Sequence, residues 1–159
     1  MSKVLRVNGV GKMNNIKQIE VLLADRLVGR LALTKEGLCA FEYVPDWLGS
    51  GFSISPFELP LRSGVFIAKP RPFEGGFGVF DDCLPDGWGL LILDRYLQQK
   101  GINPRALTLL DRLALVGSSG RGALEFRPDH SVVTRQDYAD FEKLALEAER
   151  ILDSDEYNG

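Results

Sequence analysis

Three carboxylates lie within six consecutive residues of this chain, at Asp81, Asp82 and Asp86. Carboxylates grouped in this way can hold a divalent cation or act as a general acid and base. Asp81 and Asp82 are adjacent, however, and adjacent residues do not face each other on a helix. Asp86 follows Pro85 and suits the N-cap of the helical pattern that comes next. A structural role is therefore favoured, and a small metal-dependent enzyme stays as the alternative.

A glycine-rich stretch at residues 117–122 could cradle a phosphate through its backbone N–H groups. Such loops usually follow a strand and precede a helix, whereas here the helical pattern comes first and the strand pattern follows. The Lys-Ser or Lys-Thr pair of a P-loop is also missing. We interpret the stretch as the end of a helix and the entry into a strand.

The other chemistry-bearing residues form no recognisable catalytic set. The single histidine, His130, lies in a polar turn and is expected to be exposed, and no orienting acid is identifiable to join it to Ser118 or Ser119. The two cysteines, Cys39 and Cys83, are too few for a disulfide scaffold and too sparse for a zinc site. The sequence therefore predicts no catalytic residue, no metal and no cofactor in this chain.

Composition narrows the class of protein. The chain has 159 residues, of which 45% are hydrophobic and 26% charged, so we expect one globular domain rather than disorder. A formal net charge of −3 argues against direct nucleic-acid binding. No apolar run is long enough to span a membrane, and residues 1–15 show no signal peptide. We expect a cytoplasmic protein without membrane contact.

Charge and periodicity divide the chain into three parts. Residues 135–159 contain eight acidic and three basic residues, a net −5, which leaves +2 for the remainder. We expect an extension at residues 1–15, a domain at 16–134, and an acidic helix with the start of a linker at 135–159. The linker-like end favours a domain of a longer protein over a small protein that stands alone.

Within the domain the patterns predict an α+β fold, a small antiparallel sheet followed by about three to four helices. Alternating apolar runs joined by turns predict a meander over residues 19–23, 27–33 and 38–44. A loop rich in Gly, Pro and Ser is predicted at residues 49–78, with short extended pieces at 52–54 and 65–68. Helical spacing then predicts helices over residues 79–84, 88–100 and 103–116 and a last helix after Thr134. A short strand is predicted between these helices, at residues 123–126.

Five short motifs occur in order between residues 16 and 127. They are VGRL at 28–31, FEYVPDWL at 41–48, PFELPL at 56–61, FGVFDDCLPDGW at 77–88 and LALVGSSGRGAL at 113–124. Together they resemble the N-terminal domain of HipA-like serine/threonine kinases, the toxins of bacterial toxin–antitoxin systems. The resemblance implies a regulatory and docking domain.

The kinase chemistry of that family lies C-terminal to the matched region. It uses a Gly-rich ATP loop that ends in a lysine, a catalytic Asp with a nearby Asn, and a metal-binding Asp, none of which has a counterpart here. The resemblance therefore implies that this chain alone is not an enzyme. ATP and Mg²⁺ are expected only in the kinase core, whose protein targets are of the aminoacyl-tRNA synthetase type.

The resemblance also implies partners. These are a HipA-like kinase core, in cis or in trans, a HipB-like DNA-binding antitoxin, and a further copy in a homo-oligomer. Some systems encode the domain as a separate small protein that neutralises a shorter kinase, and this antitoxin-like subunit is the alternative to a domain of a longer kinase.

A docking domain needs a contact surface, and aromatic residues are concentrated around the loop after the meander. Aromatic side chains are enriched at the energetic centres of interfaces. We expect truncation of Phe66 and Phe73 to alanine to weaken partner binding while the domain stays folded. The alternative is that the aromatic rings cap the ends of the sheet. The candidate interaction surface comprises Trp47, Phe52, Phe57, Phe66, Phe73, Phe77 and Trp88.

Overall fold

An antiparallel sheet of five strands organises the part of the chain that the structure describes. The computed structural model describes residues 16–85, 87–119 and 122–130, without the side chains of residues 87–89 and 92. The strand order is β4-β3-β2-β1-β5, and the predicted α+β fold is confirmed. The strands are β1 (Gln18–Leu23), β2 (Arg26–Leu33), β3 (Cys39–Tyr43), β4 (Val65–Ile67) and β5 (Leu124–Arg127).

The meander forms where the alternating runs predict it. Ala24 and Asp25 both have positive φ, 48° and 63°, which gives the tight turn between β1 and β2 the twist that a two-residue hairpin requires. Along β3, Cys39, Phe41 and Tyr43 are buried while Glu42 is exposed, as the alternation predicts. Cys39 is thus a small buried apolar residue of the sheet.

Four α-helices complete the described fold. They are α1 (Pro45–Ser50), α2 (Gly78–Asp81), α3 (Gly87–Gln99) and α4 (Leu109–Val116). Gly101 and Gly117 have φ values of 76° and 53° and follow α3 and α4, where the sequence predicts helix ends. No helix among the described residues is long and apolar enough to cross a membrane.

The prediction of a single helix over residues 103–116 is wrong. A 3₁₀ turn (Pro104–Ala106) comes first, and the extended Leu107 separates it from α4. The helix α4 has its own start, a capping box in which Thr108 accepts from the Asp111 N–H and Asp111 accepts from the Thr108 N–H. Asp111 Oδ1 also accepts from Ile16 N at 2.9 Å, so this buried carboxylate joins α4 to the entry of β1.

The main core lies between the sheet and the helices α2 and α4. Phe80 of α2 is fully buried, and its ring centroid lies 5.6 Å from that of Phe41 and 6.3 Å from that of Phe126. A second, smaller cluster holds α3, the segment after it and α4 together through Leu93, Leu97, Ile102, Leu107 and Leu115. The predicted extension at 1–15 and the acidic segment at 135–159 lie outside the described residues.

The opposite face of the sheet is charged. The pairing register places Arg127, Glu20, Arg30 and Glu42 side by side across β5, β1, β2 and β3. Opposite charges in neighbouring cross-strand positions stabilise such a row, and Arg30 lies 3.9 Å from Glu20. The four strands therefore present a polar face, and the apolar residues of β4 stand at its edge.

Candidate protein-interaction surface

The loop at residues 51–61, here named the aromatic loop, connects α1 to the segment before β4 and is fixed to the core. The Tyr43 hydroxyl donates to the carbonyl oxygen of Leu59 at 2.6 Å and accepts from Ile54 N at 3.1 Å. The Ser53 hydroxyl donates to the same Leu59 oxygen at 2.8 Å. Because Leu59 is itself fully buried, both arms of the loop are held in one conformation.

The tip of the aromatic loop is tied a second time. Leu59 N donates to Ser55 O at 2.7 Å and closes the tip into a turn. Glu58 Oε1 accepts from the backbone N–H of Gly78 at 2.9 Å, at the start of α2. Phe57 lies between these two anchors, and its exposure is 101%, that of a residue with no neighbours.

A fully exposed phenyl ring on an anchored turn is a preformed contact. The loop is ordered before any partner binds, so little conformational entropy remains to be lost on association. Glu58 is the only ionisable residue of the aromatic loop, and it is already engaged with α2. A partner with an apolar concavity could therefore receive Phe57 without stripping water from an unpaired charge.

Phe52 forms a second exposed aromatic position at the start of the loop. Its ring lies 5.3 Å from that of Trp47 and is 58% exposed. Trp47 is buried, its indole N–H donates to the Phe52 carbonyl oxygen at 2.9 Å, and the guanidinium of Arg26 lies 4.8 Å above its ring. A Cβ at Gly51 would overlap the Trp47 ring, so only glycine fits there.

The expectation that all seven aromatic residues line a surface is wrong for three of them. Trp47, Phe66 and Phe77 are 2%, 7% and 3% exposed. Phe66 points into the core because it alternates with exposed neighbours on β4, and the Phe77 ring packs 6.1 Å from that of Phe80. Phe73 is half-buried beside the backbone of Gly78.

Two of the seven, Phe52 and Phe57, are exposed, and their role in binding stays a prediction. Trp88 belongs to α3, and its side chain is outside the described residues.

The sequence reasoning missed the exposed apolar residues of β4. Val65 and Ile67 are 56% and 61% exposed. The alternation of this strand could have shown that two of its three side chains face away from the core. Further large apolar residues that are exposed are Leu61, Leu90 and Leu91.

The acidic cluster does not come together as a metal site in the described chain. Asp81 and Asp82 are both exposed at the end of α2. Partial burial of the Asp81 carboxyl group raises its pKa, and the nearby carboxylates of Asp82 and Glu74 raise it further. No group of three or more His, Cys, Asp or Glu residues that could hold a metal ion occurs among the described residues, and Asp86 lies outside them.

The residues considered for a nucleophilic site are also separated by their contacts. Ser118 pairs with Asp129, because its hydroxyl donates to Asp129 Oδ2 at 2.8 Å. His130 is half-buried rather than exposed, and its backbone N–H donates to the carbonyl oxygen of Ala114 at 2.8 Å. Burial raises the pKa of the Cys39 thiol to about 11. It does the same for Cys83, with a smaller contribution from Asp82.

The fold and this surface define a small α+β domain that offers exposed aromatic side chains on a fixed loop. The family model of the HipA N-terminal domain matches residues 19–127. Because this match covers most of the chain, the protein belongs to the HipA N-terminal domain family.

Among solved structures, the chain is similar to one from a Shewanella oneidensis MR-1 toxin–antitoxin complex of HipA, HipB and operator DNA. The sequence identity is 25%, the TM-score is 0.49, and the match covers 72% of this chain. The chain spans only 24% of the length of that structure's chain.

Proposed function

We propose that this chain is a non-catalytic docking domain of a HipA-like serine/threonine kinase toxin in a bacterial toxin–antitoxin system. Membership of the HipA N-terminal domain family supports the class of system. The observation that carries the docking role is Phe57, fully exposed on a loop that the core holds at several points. The partner that this role requires is a HipA-like kinase core, joined to the domain in cis or supplied in trans.

The energetics of Phe57 support docking over a purely structural role. Leaving a phenyl ring in water forgoes about 1.5–3 kcal/mol of burial free energy. The hydrogen bonds of the Tyr43 and Glu58 side chains fix the position of the surrounding loop and so of Phe57. Buried aromatic anchors often dominate the affinity of protein interfaces. Phe57 is thus placed to supply affinity once a partner covers it.

In this proposal the kinase core and the present domain have separate roles. The kinase core binds ATP and Mg²⁺ and phosphorylates a protein target of the aminoacyl-tRNA synthetase type. The present domain binds that core and contributes to contacts with a HipB-like DNA-binding antitoxin or with a second copy of the toxin. A separate small subunit that neutralises a short kinase would use the same surface in trans.

The test is a calorimetric titration of the full chain into the separately purified core of a HipA-like kinase from the same genome. The proposal predicts saturable binding of one domain per core. A parallel incubation of the chain alone with labelled ATP and a synthetase should show background incorporation. The absence of binding, or phosphate transfer by the highly purified chain, would contradict the proposal.

A further inference from the structure

Among the described strands, β4 forms one edge of the sheet and leaves part of its backbone unpaired. Ala68 N donates to Cys39 O at 2.8 Å, and the register pairs Phe66 with Phe41. Hydrogen-bonded and non-hydrogen-bonded pairs alternate in an antiparallel ladder, so Phe66 exchanges its hydrogen bonds with β3. The N–H and C=O groups of Val65 and Ile67 consequently point away from β3, toward the open edge.

The Val65 and Ile67 side chains make this edge apolar as well as open. They are 56% and 61% exposed, whereas Phe66 between them is buried under the Arg62 guanidinium and beside the Tyr43 ring. The buried ring fixes the strand in position. Within the part of the chain that the structure describes, no residue donates to or accepts from the outward backbone groups of Val65 and Ile67. The edge is thus a preformed template for one more strand.

The charged residues around β4 favour one kind of added strand. Residues 59–72 contain Arg62, Lys69 and Arg71 and no acidic residue, although the whole chain has a net charge of −3. Arg62, before β4, and Lys69, after it, are both exposed. Glu42 on β3 pairs with Val65 on one side and, in the charged row, with Arg30 on the other. The surroundings of the β4 edge are therefore locally positive.

We infer that the β4 edge binds an extended acidic segment of a partner protein by strand addition. Backbone hydrogen bonds to Val65 and Ile67 would hold the segment, its alternate apolar side chains would cover the Val65 and Ile67 side chains, and its carboxylates would face Arg62 and Lys69. A second copy of β4 fits poorly in this position, because it would bring the same basic residues together. The inference does not depend on the proposed kinase partner.

The added strand would be short. Gly64 has a φ of 105° before β4, and Pro70 lacks an N–H three residues after it. These two positions limit the pairing to the three residues of β4 and their immediate neighbours. A short, charged edge of this kind discourages open-ended aggregation and still admits one complementary segment.

The test uses the full chain and a fluorescein-labelled peptide of ten residues, with Val-Thr-Val at its centre and Glu and Asp on both sides. The control peptide carries Lys in place of every acid. Fluorescence anisotropy at low salt should give saturable binding of the acidic peptide, at least about tenfold tighter than that of the control. Added salt should weaken this binding.

Two protein variants locate the binding site. Ile67→Pro removes an outward-pointing N–H, which an edge strand tolerates, together with the exposed Ile67 side chain, and should weaken binding about fivefold or more. Lys69→Glu should weaken it about threefold or more, while Lys35→Glu, the same change in the exposed turn between β2 and β3, should leave it within about twofold. Circular dichroism confirms that each variant is folded.

Equal binding of the acidic and basic peptides, no binding of either, or unchanged affinity of both β4 variants would overturn the inference. The assay contains no kinase, so its outcome is distinguishable from a failure of the proposed function.

Discussion

Phe66 and Phe57 lie nine residues apart in sequence, yet the truncation of Phe66 should destabilise the fold and that of Phe57 should leave it almost unchanged. Phe66 is 7% exposed and packs with its ring centroid 6.2 Å from that of Tyr43. Replacing a buried Phe by Ala usually costs 3–5 kcal/mol. Because β4 is a three-residue edge strand that can relax, we expect Phe66→Ala to lower the free energy of unfolding by about 3 kcal/mol. Phe57→Ala should change it by less than about 0.5 kcal/mol.

The assay is urea unfolding of the full chain, followed by far-ultraviolet circular dichroism. With a slope of about 2 kcal/mol per molar urea, a loss of about 3 kcal/mol moves the midpoint down by about 1.5 M. The matched control is Phe66→Leu, which keeps most of the apolar volume and should cost less than about 1.5 kcal/mol. A wild-type midpoint for Phe66→Ala would show that its ring is not part of the core. A large shift for Phe57→Ala would refute the assignment of the exposed surface.

Three further predictions follow from the packing. Asp111→Ala removes the reciprocal half of the α4 capping box and the acceptor of the Ile16 N–H, and should lower the free energy of unfolding by about 1–3 kcal/mol in urea titrations. Gly29→Ala places a Cβ against the carbonyl oxygen of Glu42, so soluble folded protein should be lost in expression and circular dichroism trials. Because burial raises the thiol pKa values of Cys39 and Cys83 from 9.0 to about 11, both thiols should react about a hundredfold more slowly with a thiol reagent at pH 8 in the folded chain than in urea.

The same thiol shifts have a consequence for stability against pH. In the unfolded chain the thiols lose their protons near pH 9, whereas in the folded chain they keep them until about pH 11. Above pH 9 the unfolded state therefore binds fewer protons than the folded state, and the free energy of unfolding falls as pH rises. Below pH 9 the thiols make no such contribution.

The sequence predicted the elements whose signals are local. Alternation gave the three strands of the meander, and the glycines at 101 and 117 gave the ends of α3 and α4. The spacing of Thr108 and Asp111 is also a local signal, and it marks the true start of α4. The preceding Asn103-Pro104 is an equally good start signal, but it belongs to a separate 3₁₀ turn. Two competing start signals five residues apart explain that error.

The candidate surface depended on tertiary contacts that no local signal reveals. Phe57 and Phe66 are both aromatic residues in segments rich in Gly and Pro, and only the pairing of β4 with β3 turns Phe66 inward. The exposure of Phe57 results from anchors that join residues far apart in sequence, Glu58 to Gly78 and Leu59 to Tyr43. Sequence alone therefore identified the aromatic region and could not sort its members.

The measurement that tests the docking role most directly is the affinity of the full chain for a HipA-like kinase core, compared between wild type, Phe57→Ala and Leu91→Ala. Leu91 is an exposed apolar residue of α3 and serves as the matched truncation. We predict that Phe57→Ala weakens binding about tenfold or more, while Leu91→Ala stays within about twofold of wild type. Binding of Phe57→Ala with wild-type affinity would contradict the proposal that the aromatic loop docks the partner.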